Sequence, residues 1–463
     1  MSASYQYDLI NRLTQLTDNS SLNTTFGYDA TNKLTTRTLP NGVVSSYQYD
    51  GLNRLTSLTH ANGANTLADF QYQFNPVNNI TQITDDAGAH NYTYDTLDRL
   101  TAATHPSQPD ESYTFDDLGN RTASHQGSSY SYQPFNRLVA ANGSSLGYDT
   151  NGHLISKTDA SGNWTYTWDY ENRLKQASLS GGVTVTYFYD ALGRRIQRDG
   201  TTSGITKFVY DGADVVRDLD STGNVVSDYL DGPGVDNKLR QTSGGTASYF
   251  VTDNLGSTRG FADANGTLAS NLDYDSFGNV TGASASTRYT YTGRELDADT
   301  GLIYYRSRFY DPQQGRFISE DSIGLKAGLD LYAYTKNNPA RFTDPMGENP
   351  LAIAGGVVIV EALIHNYLAG RAEGFFPIAD DPHGHQKHCY VNCMSNRIHV
   401  GNPIWPTIFS VGQEVPPLIR GAFEGDFRSE LNESAGDLAA DIFGQASAVI
   451  IWKSCKELCT QCR

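Results

Sequence analysis

The chain has 463 residues, a formal net charge of −17, and 29 Tyr and 44 Gly against only 18% charged residues. A negative balance of that size excludes nonspecific nucleic-acid binding by the chain as a whole and favours solubility. The Tyr and Gly content suits short aromatic strands joined by turns.

The N-terminus, MSASYQYDLINRL, has no basic stretch followed by an apolar one, which argues against a secretory signal peptide. Synthesis is expected in the cytoplasm, with any export by a dedicated system. These first residues already read as a repeat unit, so the chain looks like the C-terminal portion of a longer array.

One pattern then recurs: an aromatic residue and Asp or Asn, a short spacer, and Asn/Gly-Arg-Leu or a close variant. It is seen at Tyr7-Asp8 with Asn11-Arg12-Leu13, at Tyr28-Asp29 with Asn32-Lys33-Leu34, and at Tyr49-Asp50 with Asn53-Arg54-Leu55. Further copies follow at Phe74-Asn75, Tyr94-Asp95, Phe115-Asp116, Tyr148-Asp149, Trp168-Asp169, Tyr189-Asp190, Tyr210-Asp211 and Tyr274-Asp275. A period of about 20 residues is that of one supersecondary unit stacking on its neighbours. Segments such as Val183–Tyr189 are β-branched and aromatic. Asp-x-x-Gly or Asp-x-x-Asn supplies the turn, because Asp bonds its own backbone and Gly or Asn tolerates positive φ. A helical repeat is excluded by the lack of any sustained apolar i, i+3, i+4 pattern. The expectation for residues 1–290 is an all-β array of strand, turn and strand.

Residues 291–348 form a joint of different character. Two DxxG units, Asp321-Ser322-Ile323-Gly324 and Asp344-Pro345-Met346-Gly347, flank the aromatic segment Leu331-Tyr332-Ala333-Tyr334 and the turn Asn337-Asn338-Pro339. Two carboxylates brought close cannot both ionise freely, so one can act as base on a water while the other donates a proton. Asp321 and Asp344 are the evident pair. The bland reading is two tight Asx turns and no hydrolysis.

The YD signature together with this joint resembles the bacterial Rhs/YD-repeat family. The resemblance implies a mainly β fold in which the repeats wind as a β-sheet spiral into a hollow shell, or cocoon, enclosing a C-terminal toxin. It further implies Asp321 and Asp344 as catalytic in an aspartic-type autoproteolysis, with Arg316 or Arg308 as electrostatic partners and a cut at Glu348-Asn349. Two positions depart from the family pattern: Glu348 stands where Leu is usual, and Ser322 where Pro is more frequent. The partners implied are a cognate immunity protein, a delivery machine such as a type VI secretion spike, and a chaperone. The shell needs no cofactor. A competing reading, from teneurin-like relatives, is a cell-surface recognition scaffold whose aromatics bind sugar.

After the joint the composition changes. Residues 349–463 are expected to form a small, α-rich toxin tip. The run Leu351–Ala369 is apolar over roughly a bilayer-spanning helical length. It is interrupted by Glu361 and His365, four apart and therefore on one helix face. It reads either as a core helix or as a segment that inserts into a target membrane. His388, Cys389 and Cys393, with Cys455, Cys459 and Cys462, suit either disulfides or a Zn²⁺ site. The tip is thus either membrane-permeabilising or a metal- or thiol-dependent enzyme such as a nuclease, although 8 Lys and Arg against 12 Asp and Glu over residues 349–463 suit phosphate binding poorly.

Overall fold

The computed structural model describes residues 3–282, 287–326 and 328–348, and the backbone alone of 351–354 and 357–358. Among them there is no α-helix, only three short 3₁₀ turns. Two antiparallel sheets follow chain order without a crossover: twelve strands ending at Arg121–Ser124, and fifteen from Tyr130–Gln133 to Leu268–Asn271.

Two compact units divide the chain. Of the described residues, Tyr5–Thr14 and Asp29–Asn32 fall in the second and the rest in the first.

Each repeat is built by its own signature residues. At Asp50, Oδ1 accepts the N–H groups of Leu52 (2.9 Å) and Arg54 (3.0 Å), while Asn53 takes φ +65° to complete the turn. The Arg54 guanidinium then binds Asp50 Oδ2 through Nε (2.7 Å) and reaches into the next repeat. There its Nη1 donates to the Asn75 carbonyl (3.2 Å) and its face covers the Phe74 ring, 4.8 Å from the centroid. Arg99, Arg173 and Arg194 repeat this with Asp116, Asp190 and Gly212 carbonyls and with the rings of Phe115, Tyr189 and Tyr210. In the second unit Arg12 does likewise, pairing with Asp8 and donating to the Asp29 carbonyl (2.9 Å). The Tyr of the signature points back. Tyr49, Tyr94, Tyr189 and Tyr210 each donate their phenol to a backbone carbonyl of the preceding repeat, at Leu34, Ile80, Leu174 and Arg195. The Tyr-Asp and Asn-Arg-Leu halves of the pattern are therefore two sides of one contact between successive repeats.

Residues 291–348 belong to the same compact unit as most of the repeats. Tyr305, Tyr310, Phe317 and Tyr334 pack edge to face in a fully buried aromatic cluster. The segment is tied to both sheets. Asn338 donates to Asn79 Oδ1 and the Asp98 carbonyl, and Tyr332 to the Gly152 carbonyl.

The run expected as a helix from Leu351 begins instead as extended chain. Leu351–Ala354 pairs with Phe342–Thr343 and with Val357–Val358. The reason is local: Ile353, Val357 and Val358 are β-branched, Gly355-Gly356 breaks the run, and Phe342–Thr343 presents a partner strand. The rest of the run, with Glu361 and His365, lies outside the described residues, as do Asn349, His388 and all five cysteines.

Candidate functional site

The two DxxG turns lie at one guanidinium. Arg308, at the start of the strand Arg308–Asp311, places Nη2 2.7 Å from Asp321 Oδ2 and 3.3 Å from Asp344 Oδ2. Its Nη1 donates to the Leu331 carbonyl (3.0 Å), its Nε donates to the Gly347 carbonyl, and its face rests on the Phe317 ring, 3.6 Å from the centroid. All three charged groups are buried, with relative exposures of 4% for Arg308, 7% for Asp321 and 1% for Asp344. Unpaired, such a cluster would be strongly destabilising; together the charges compensate one another.

The turns themselves differ. Asp344 Oδ1 accepts the Glu348 N–H at 3.0 Å and the Gly347 N–H meets the Asp344 carbonyl at 3.1 Å, much as in the repeats. Asp321 Oδ1 accepts the Ile323 N–H (3.0 Å), and its own N–H donates to the Leu331 carbonyl (3.0 Å). The other carboxyl oxygen of Asp321 faces Arg308. The bland reading of the sequence holds as far as local geometry goes; what it lacks is the meeting of the two turns.

Burial pushes the Asp321 carboxyl up to about 6, against the downward pull of Arg308, with Asp344 and Glu348 adding to the rise. Burial also lowers Arg308 from its ordinary value, opposed by Asp321, Asp344 and Glu348. One acid able to hold a proton near neutrality thus sits in the same cluster as a second carboxyl group. That is the arrangement in which one group donates while its neighbour accepts.

Of the two arginines expected beside the carboxylates, the structure brings in Arg308 and leaves Arg316 out. Arg316 donates to the Asn136 carbonyl (2.7 Å), lies 3.4 Å from Asp330 and stacks on Tyr332. Successive residues of a strand point to opposite faces, and since Phe317 meets Arg308, Arg316 faces away. Glu348 is drawn to the other departure from the family pattern: Ser322 Oγ donates to Glu348 Oε1 at 3.3 Å. Reading the sequence missed Arg306 and Ser307, which also touch the second turn. Their only signal was position, immediately before Arg308 at the tip of a hairpin.

Among the described residues no group of three His, Cys, Asp or Glu is placed to hold a metal, and no helix is long and apolar enough to cross a membrane.

The sequence profile of the Teneurin YD-shell family matches residues 68–341, and the RHS Repeat profile matches residues 7–43 and 28–64. The chain is 34% identical over 266 residues to the tRNA nuclease WapA of Bacillus subtilis, covering 53% of this chain and 11% of that protein. It is 30% identical over 275 residues to the double-stranded DNA deaminase toxin A of Burkholderia cenocepacia, covering 51% and 19%. The chain thus spans between a tenth and a fifth of the length of these relatives. Among solved structures, the Tc holotoxin pore of Photorhabdus luminescens superposes with a TM-score of 0.62 at 22% identity, over 77% of this chain and 21% of that one. The TcdB2-TccC3-TEV crystal structure also gives 0.62 at 22%, over 74% and 20%. At such identity the likeness concerns the fold alone.

Proposed function

The chain belongs to the Teneurin YD-shell family, with RHS repeats at its start, and from that premise we propose that it is a polymorphic toxin of bacterial antagonism. In this reading the repeat array encloses a C-terminal tip, residues 349–463, which is freed by Asp-dependent self-cleavage at Glu348-Asn349. The observation that carries the reading is Arg308 bridging Asp321 and Asp344 while its Nε holds the Gly347 carbonyl, one residue before that bond.

The chemistry is hydrolysis by water. One carboxylate of the pair takes a proton from the water, whose oxygen adds to the Glu348 carbonyl carbon. The carbon–nitrogen bond then breaks, and the protonated Asp delivers its proton to the departing Asn349 nitrogen. Asp321 suits the donor role because burial keeps its proton on to about pH 6. Asp344 then serves as base, and Arg308 keeps the two carboxyl groups together.

For the tip, an enzyme acting on nucleic acid is favoured over a membrane-permeabilising segment. Relatives that share the repeats are named as a tRNA nuclease and a DNA deaminase toxin, and the apolar run begins as strand. A cysteine-rich tip of that kind would use Zn²⁺ or a thiol. An immunity protein, a chaperone and a delivery machine that carries the protein from the cytoplasm of the producer into a target cell would be its partners. The recognition-scaffold reading would leave the Asp pair without a task.

The test is the intact mass of the purified chain under denaturing conditions. Wild type is expected as two pieces divided after Glu348, and Asp321→Asn and Asp344→Asn as one. A wild-type chain that stays whole overturns self-cleavage and leaves the two turns as scaffolding.

A further inference from the structure

We infer that the hairpin tip Arg306-Ser307-Arg308 is a backbone clamp on the Asp344–Gly347 turn, with Arg306 and Ser307 as positioning residues for self-cleavage. This rests on the reading proposed above.

The strands Ile303–Tyr305 and Arg308–Asp311 pair with Tyr305 opposite Arg308, so only Arg306 and Ser307 make the turn. Three consecutive residues of this tip hold three consecutive carbonyls of the second DxxG turn. Arg306 Nη1 donates to Pro345 O (2.6 Å). Ser307 N (3.2 Å) and Oγ (2.7 Å) donate to Met346 O. Arg308 Nε donates to Gly347 O, which also lies 2.8 Å from Ser307 Oγ and shares that hydroxyl's one proton with Met346 O.

Two features mark this as a built contact. Arg306 takes φ +57°, a left-handed conformation that a residue with a Cβ rarely adopts. It is held there by Asp236, whose Oδ1 and Oδ2 accept from its Nη2 (2.8 Å) and Nη1 (3.1 Å), and by Asp214 (3.2 Å). Gly347 comes so near that a Cβ on it would lie 2.5 Å from the Tyr305 carbonyl and 2.8 Å from Ser307 Oγ. In the equivalent repeat turns of Asp190 and Asp220 there is no such approach, since nothing lies within 4 Å of a Cβ built on Gly193 or Gly223. Other repeat turns are approached as closely, at Gly152, Gly266 and Gly278, and Asn41 and Asn62 hold the Asp263, Asn265 and Gly266 carbonyls. What the turn before Glu348-Asn349 has is one hairpin tip donating to three consecutive carbonyls.

Hydrolysis by a carboxyl pair requires the reacting carbonyl to be placed within a few tenths of an ångström. Fixing the three preceding carbonyls leaves the next peptide little freedom. Every clamp contact also lies N-terminal to the cut. The array therefore keeps residues 344–348 after cleavage, and the tip leaves without breaking any of these bonds.

The experiment is a time course of the full chain, pulse-labelled in cell-free synthesis, with the fraction divided followed at several pH values. Ser307→Ala removes only the hydroxyl and is expected to slow division roughly fivefold, the worth of one neutral hydrogen bond. Ser307→Thr is expected to restore the rate. Arg306→Ala, which loosens the whole tip, is expected to slow it roughly a hundredfold. The midpoint of the pH–rate curve, set by the Asp pair, should stay in place in all three. Equal rates for wild type and a folded, protease-resistant Ser307→Ala overturn the clamp while self-cleavage stands, as does a moved midpoint. A wild type that never divides removes the parent reading instead.

Discussion

Asp321 is an acid whose proton is favoured by folding. Its carboxyl rises from 3.8 to about 6 because it is buried, so the folded chain binds more protons than the unfolded one between those values. Stability from this group is greatest at low pH and declines as pH rises from about 4 to about 6, then stays level. The same shift sets an expectation for catalysis: division of the chain slows as pH rises through about 6, because the proton donor is lost. A pH series of cleavage rates measures this directly, and a rate that instead grows through pH 6 to 8 would assign the donor to another group. Glu348 raises Asp321 through its charge, so Glu348→Gln is expected to move the midpoint to lower pH. At Gly347, φ is +70° and a Cβ would strike the Tyr305 carbonyl. Gly347→Ala, made in the Asp321→Asn background so that the chain stays whole, should lower stability by about 1–3 kcal/mol, read from thermal unfolding.

At the scale of the element, the repeat is held to its neighbour by one arginine and one tyrosine. Arg54 has three tasks: it closes its own Asp50 turn, binds the Asn75 carbonyl and covers Phe74. Arg54→Ala is expected to cost about 2–4 kcal/mol, the sum of a charge-assisted bond and a partly exposed cation–π contact. Long arrays need not unfold in a single step. The useful measurement is therefore hydrogen exchange in Leu55–Asn62 and Asn65–Phe74, which should lose protection while distant strands such as Thr184–Tyr189 keep theirs. Arg54→Lys should recover only part of the loss, because Lys lacks the planar fork that serves Asp50 and Asn75 at once. Uniform loss across the array would show instead that repeats are coupled as one unit.

At the scale of the molecule, the joint is a central part of the fold. Its aromatic residues fill a buried cluster and its polar ones bind the turns of both sheets, at Asn79 and Asp98 between strands of one and at Gly152 between strands of the other. The self-cleavage proposed above would depend on the assembled array, since Arg308 and the two Asp turns come from segments 13 to 36 residues apart. Expression of the full chain in a bacterial host without an immunity partner is expected to arrest growth for wild type and to spare it for Asp321→Asn. A voltage-sensitive dye assigns the tip in the same cells. Arrest with the potential intact supports an enzyme, and early depolarisation supports a membrane-permeabilising tip.

The sequence alone determined the strands, the turns and the period, because those depend on residues a few positions apart: Asp50 bonding Leu52 and Arg54, Asn53 accepting positive φ, and β-branched runs between them. It also marked Asp321 and Asp344 as a pair. It did not reveal which arginine serves them, since Arg308 and Arg316 look alike until the alternation of one strand turns Phe317 toward the first and the second away. Arg306 and Ser307 were illegible for a related reason: their partners are carbonyls 39 and 40 residues further on, and a carbonyl carries no residue identity. The extended start at Leu351 was missed because a strand is decided by the partner that Phe342–Thr343 offers as well as by its own hydrophobicity. Tertiary structure decided what depends on distant backbone, because a hydrogen bond to a main-chain atom far along the chain, unlike the local one of Asp50, leaves no trace in the spacing of side chains.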